Sequence, residues 1–463
     1  MNDAAQSTGS STRLLADFAA TLRFEQIPPD VLARAKLSLL DTLGCCLLGS
    51  TCPPARKLHE FVRSEGGRPV ASILGASERT SPTLAALVNG TAGHAFQLDE
   101  VHSGAVLHPG SVVLPAVMAA AESAGGLNGR DWLAAIVAGY EVGIRVGLAA
   151  RGRMFERGFH NQGTTGAIAA AAAASRALAL DAGSTAQALG LAASLAAGLM
   201  AVQEGAMAKA LHSGRAAQSG VLAAFLARTG YTGIDDVLDS SYGRFYDSFV
   251  GGAGAGDFAA ALRERWEMLG VGYKLSPASN GSITAMQTLA RIMTKHHLDA
   301  QDIERIIAHV STNTHHHCGF AFDPKTASVL AAQMSVRYGL SVMALDKQAS
   351  PAQFTPQRIG DKRLADFLPR VELQVSPDFD APGGKLRLAS RLEVQCKDGR
   401  VLVDETLYRK GSVEDPVSPA EIEEKFRNLA VPVIGKEKAE ACAARIRVLE
   451  NEPKVGSPLE APL

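Results

Sequence analysis

The run Ala167-Ile168-Ala169-Ala170-Ala171-Ala172-Ala173-Ala174 constrains the fold of this chain more than any other stretch. Alanine loses almost no side-chain entropy in a helix and has the highest helix propensity, so these residues read as helix. The helix is also slim, because its side chains barely extend past the backbone. Other helices can press closely against it, and a chain that contains it is expected to build a tightly packed helical body. Immediately before the run stands Gly158-Phe159-His160-Asn161-Gln162-Gly163-Thr164-Thr165-Gly166, which brings a histidine to the mouth of that helix. Helix N-termini expose backbone N–H groups and the positive end of the dipole, so an anion such as a carboxylate fits there beside a proton-transfer group. The alternative is an ordinary buried helix with an incidental histidine.

The 463 residues suffice for two domains, or for one large domain carrying an insertion. Six cysteines form no CxxC pair, so neither a zinc site nor a disulfide framework is indicated, and reduced thiols in the cytoplasm are expected. Lys+Arg 46 against Asp+Glu 47 removes the electrostatic case for nucleic acid or an anionic membrane, and a near-neutral surface suits an oligomer. Residues 1–12 lack the basic and apolar regions of a signal peptide. Later apolar runs are broken by Arg176, Asp181, Gln187 or Gln203, so no membrane span is expected.

From about residue 13 to 229 apolar residues recur at three and four, predicting helices near 31–48, 83–96, 112–123, 130–150, 167–178, 184–202 and 215–228. The glycine-rich segment at 250–256 lacks the strand and βαβ context of a dinucleotide loop. After about Gly270 the texture changes. Strand character appears at 303–311, 371–375 and 386–396, and Asp398-Gly399 turns the last of these into 401–407 as a hairpin; helical patterning lies between them at 282–294 and 327–345. Helical patterning returns at 419–429 and 436–449. The expected fold is therefore mainly α: a large helical domain built from both chain ends, 1–268 and 409–463, with a smaller α+β domain at 269–408.

Four clusters carry chemistry: Gln97-Leu98-Asp99-Glu100-Val101-His102 with His108-Pro109-Gly110-Ser111; His160; Lys209 to Arg215; and Tyr273-Lys274 to Ser279. On a helix Lys209, His212 and Arg215 follow one another along a face. A lysine among small apolar residues needs a counter-charge, either a structural partner such as Asp99, Glu100 or Glu204, or a substrate carboxylate. Asp99, His102 and His108, with the run His315-His316-His317-Cys318, form an alternative metal-ligand set, although adjacent histidines rarely converge on one ion. No Gly-x-Ser-x-Gly elbow points to a nucleophile.

Gly90-Thr91-Ala92-Gly93-His94-Ala95-Phe96-Gln97-Leu98-Asp99-Glu100, Leu107 to Ser111, Ala138-Gly139-Tyr140-Glu141-Val142-Gly143, Phe159 to Gly166 and Lys209 to Gly220, in that order, resemble the MmgE/PrpD family, whose members include 2-methylcitrate dehydratase, cis-aconitate decarboxylase and iminodisuccinate epimerase. The resemblance runs from about Leu14 to the C-terminal helices. It implies a lid formed by the α+β domain, a site free of metal or other cofactor, a homodimer, and a dehydratase-like lyase or an isomerase acting on a small di- or tricarboxylate. Carried onto this sequence, it implies catalytic roles for Asp99, His108, His160 and Lys209. Substrate-binding roles fall on Gln97, His212, Lys274 and Ser279. Gln97 stands where the decarboxylase pattern has an aspartate, and Ser279 where it has a histidine.

Overall fold

A computed structural model of the chain describes residues 10–150, 152–251, 259, 261–380 and 384–459. The glycine-rich segment at 250–256 lies outside the described residues from position 252 onward. The molecule divides into two units, one comprising the chain up to Ala201 with Met207–Gly272 and the chain from Ser418, the other Val202–Ala206 with Tyr273–Val417.

In the first unit the alanine run forms the helix Thr165–Ala177, with every side chain from Ala167 to Ala174 fully buried. Neighbouring helices meet it through glycine. A Cβ added at Gly143 on Gly129–Ala149 would stand 2.4 Å from Ala169 Cβ, and one at Gly220 on Ala208–Arg228 only 2.5 Å from Ala170 Cβ. Glycine against alanine lets the backbones themselves come into contact, so dispersion is gained with little side-chain ordering. Gly129–Ala149 is long and apolar enough to cross a membrane, yet 94% of its most apolar window is buried in this core. Glu141 and Arg145 interrupt its apolar run and pair with each other inside the core, 3.3 Å apart.

A second close approach sets the site. A Cβ at Gly214 would lie 2.1 Å from the Leu87 carbonyl oxygen, and one at Gly90 2.9 Å from Gly214 Cα, so Pro82–His94 and Ala208–Arg228 touch backbone to backbone. His94 and Lys209 lie about a turn away on these two helices. The chain end also packs into this unit: Pro419–Ile434, started by a Ser418/Glu421 capping box, lays Phe426 against Gly44 of Pro29–Ser50. The helical character is interrupted by a two-residue strand pair, Ala71–Ser72 with Arg79–Thr80.

The second unit holds a four-stranded sheet in the order Val371–Val375, Ile303–Val310, Ser390–Cys396, Val401–Thr406; the first pair is parallel and the others antiparallel. Leu392, Val394 and Cys396 alternate inward, and Asn280–His296 and Val336–Asp346 pack against the sheet. Gly399 takes φ 87° in the Asp398-Gly399 turn. The unit runs on to Val417 because the turn after the last strand is stitched to its beginning: the Tyr273 amide donates to the Gly411 carbonyl at 2.7 Å, and the Arg409 guanidinium donates to the Tyr273 carbonyl. The helix expected at 327–345 is two helices, Val329–Gln333 and Val336–Asp346, because Ser335 caps the second by accepting from the Tyr338 amide.

Candidate active site

Pro82–His94 ends in the first unit with a histidine that is completely buried. Its Nδ1 lies 2.8 Å from Asp99 Oδ2 and its Nε2 3.0 Å from Lys209 Nζ. An ammonium can only donate, so Nε2 accepts and Nδ1 carries the proton toward the carboxylate. Lys209 also donates to Gln97 Oε1 at 2.9 Å. Gln97 sits at φ 56°, a left-handed conformation uncommon for a residue with a side chain, and the turn it makes sends its amide toward Lys209 while Asp99 faces His94. His108 adds a second imidazole, Nδ1 3.4 Å from the same Asp99 oxygen.

His160 enters from the turn before the alanine helix, its ring centroid 5.7 Å from that of His94. Burial, reinforced by Lys209 and the surrounding imidazoles, drives its pKa well below the ordinary histidine value, so the ring is neutral near pH 7. Its Nδ1 is 3.0 Å from His212 Nδ1, and one of the two rings must be the donor. His212 is likewise shifted down by burial and by Lys209. Among the described residues His160 Nε2 has no hydrogen-bond partner, so it is the open nitrogen of the cluster: a lone pair when Nδ1 donates to His212, an N–H when His212 is the donor.

The structure revises the helix-mouth reading. The Gly163, Thr164, Gly166 and Ala167 amides already donate to backbone carbonyls within residues 160–164, so they do not form an anion cradle. The cationic group in the cluster is Lys209. Arg215, expected on the same ridge, is exposed and donates to Gln218 at 2.7 Å. Lys274 and Ser279 belong to the second unit, where both are buried. Ser279 caps Asn280–His296 by accepting from the Ser282 amide, and the Cys318 thiol donates to it at 3.0 Å.

His94 replaces His102 in the possible metal set: ligand atoms of His94, Asp99 and His108 lie within 4.8 Å of one another, and Lys209 already supplies a cation beside them. His102 instead accepts from the Ala105 amide, with burial lowering its pKa to about 4. His315, His316 and His317 occupy consecutive positions on the short helix Thr312–Cys318, and His317 meets Gln203.

Two residues of the cluster were not singled out from sequence. His94 stands in the Gly90 to Glu100 motif, and the need of a buried Lys209 for a partner was the signal pointing to it. The other is Gln162, whose Oε1 accepts from the His108 amide at 3.0 Å while its Nε2 donates to the His108 carbonyl at 3.0 Å and to Ser111 and Ser213 hydroxyls. It ties the His160 turn to the His108 segment. Beneath them Glu100 accepts from the Tyr140 hydroxyl and from the Gly110 amide at 3.1 Å, and burial, with Asp41 nearby, lifts its pKa to about 8.

A carboxylate, a histidine and a lysine in hydrogen-bonded series, beside a neutral histidine with an open nitrogen, form an enzyme-type site that can move a proton while holding an anion. Models of the MmgE/PrpD N-terminal domain and the MmgE/PrpD C-terminal domain match residues 13–256 and 276–451, and the chain belongs to this family. Residues 418–451, matched by the C-terminal model, pack in the first unit. Similar proteins include the cis-aconitate decarboxylase-like protein oryM of Aspergillus oryzae, 33% identical over 96% of both chains. Cis-aconitate decarboxylase of Aspergillus terreus is 32% identical over 90% of this chain and 89% of its own. The human cis-aconitate decarboxylase is 28% identical over 93% and 90%.

Proposed function

We propose that the chain is a lyase that acts on a small di- or tricarboxylate by proton transfer at a carbon next to a carboxylate, without a metal or organic cofactor. The observation that carries this reading is the open Nε2 of a neutral His160 in the same cluster as Lys209. A neutral imidazole takes or returns the proton, and Lys209 stabilises the negative charge that builds on the substrate carboxylate as the neighbouring bond breaks. Asp99, through His94, orients the lysine, while His108, on the same carboxylate, is the second candidate for proton transfer. His212 is assigned to substrate binding, the role that the family resemblance also implies for Lys274 and Ser279. The named activities of the relatives make a tricarboxylate such as cis-aconitate the first substrate to test.

His108 and His160 would equally serve an epimerase, which removes a proton with one group and returns it with another. Incubation with a panel of short polycarboxylates, cis-aconitate included, with products and their stereochemistry read by NMR, separates the two. Loss of water or carbon dioxide supports the lyase, and inversion without loss of mass supports the epimerase. No turnover of any member counts against both. The reading includes a cytoplasmic homodimer, tested by fractionation and by light scattering.

A further inference from the structure

The turn that carries Gln97 and Asp99 rests on a buried ion pair that the chemistry above does not use. Lys425, from the C-terminal helix Pro419–Ile434, donates to Asp41 Oδ1 at 2.6 Å and to the Leu98 carbonyl at 2.7 Å. Leu98 is the residue between Gln97 and Asp99, so a single ammonium holds the peptide from which both side chains diverge, one to Lys209 and the other to His94. Asp41 is fully buried and Lys425 nearly so. Burial works against the Lys425 ammonium, but Asp41, with Cys45 and Asp99 nearby, more than offsets it, and the lysine remains charged.

An ion pair this deep is a poor source of stability, since desolvating two charges consumes most of the Coulombic gain, and an apolar pair of similar size often does as well. Position is what it provides. Gln97 holds a left-handed backbone that relaxes unless its neighbours over-determine it, and Lys425 fixes the carbonyl immediately after it. We propose that Lys425 is a positioning residue of the active site, with Asp41 as its counter-ion: the C-terminal helix reaches back across the sequence to set the turn on which Gln97 and Asp99 meet Lys209 and His94. The role in turnover rests on the proposed function; the role in positioning does not.

The test removes both charges together, so that no unpaired charge is left behind. Lys425→Met/Asp41→Asn is compared with wild type for melting temperature, for kcat and KM on the substrate found above, and for the ring-nitrogen resonances of His94 and His108 in protein labelled with [15N]histidine. The expected result is a folded variant whose kcat falls by about tenfold or more, with a smaller change in KM and displaced His94 and His108 resonances. A merely structural role moves the melting temperature and leaves kcat and both resonances where they were; that outcome overturns the proposal. If the methionine variant does not fold, Lys425→Gln/Asp41→Asn, whose amides can bond to each other, replaces it and is read the same way. Should the wild type turn over no substrate, the function is wrong, and the histidine resonances alone decide whether Lys425 positions the turn.

Discussion

Lys209 Nζ lies 3.0 Å from His94 Nε2, and because the lysine can only donate, this contact assigns the tautomer of His94 and with it the direction of the hydrogen bond to Asp99. His94→Ala therefore separates a buried carboxylate from a buried ammonium. The variant is expected to lose about 3 kcal/mol of stability, as broken buried charge networks do, and to lower kcat about tenfold or more. Chemical denaturation and steady-state kinetics check the two effects. Wild-type turnover would remove His94 from the account.

Lys209→Met should raise KM as well as lower kcat, because it strips a cation from a desolvated carboxylate. Lys209→Arg keeps the charge but changes its shape and reach, so a large loss in that variant would show that a compact ammonium is required between His94 and Gln97. An unchanged KM for the methionine variant would argue against carboxylate binding at this point.

Glu100 titrates at about 8 in the folded protein against an ordinary value of 4.5. A folded pKa raised above the unfolded one means that the native state binds more protons over that interval. The stabilisation is fully present below the unfolded value and is lost as pH rises through the folded one. Glu100→Gln keeps an oxygen for the Tyr140 and Gly110 donors and no longer titrates. Its melting temperature should fall less steeply than that of wild type between about pH 5 and pH 8. Parallel curves would show that Glu100 is ionised throughout. Comparison with wild type is needed because Glu141, raised by burial to about 7, slopes in the same direction.

Gly214→Ala would place a methyl group 2.1 Å from both the Leu87 carbonyl oxygen and Thr91 Oγ1. The helices carrying His94 and Lys209 would have to part, costing about 3 kcal/mol, the upper end for overpacking. Activity per folded molecule should fall too, since the His94 to Lys209 contact depends on the same approach. A variant that melts lower but retains full kcat would uncouple the packing from the site.

The alanine run announced a slim central helix because propensity and side-chain size are local properties, and the Asp398-Gly399 hairpin was legible for the same reason: the turn residues specify the backbone. Asp99, His108, His160 and Lys209 could be named from their motifs, but their hydrogen-bond order could not. His94 escaped notice because its role depends on a helix crossing that Gly90 and Gly214 create over a separation of more than a hundred residues. Arg215 was misread for a related reason. Helical spacing places Lys209 and Arg215 near one face, but which part of that face is buried depends on the neighbouring helix, and Arg215 turns to the surface. The mouth of the alanine helix read as an anion site because its amides looked unpaired, whereas the preceding turn folds back to accept from them.

The central claim is that a neutral His160 exchanges a proton with carbon next to a substrate carboxylate. It is tested most directly by incubating wild type and His160→Ala with the active polycarboxylate in D2O and following deuterium at that carbon by NMR. The account predicts incorporation at the carbon beside the carboxylate in wild type, and a fall of about a hundredfold or more in its rate on His160→Ala. Incorporation at an undiminished rate in His160→Ala would contradict it and make His108 the first group to examine.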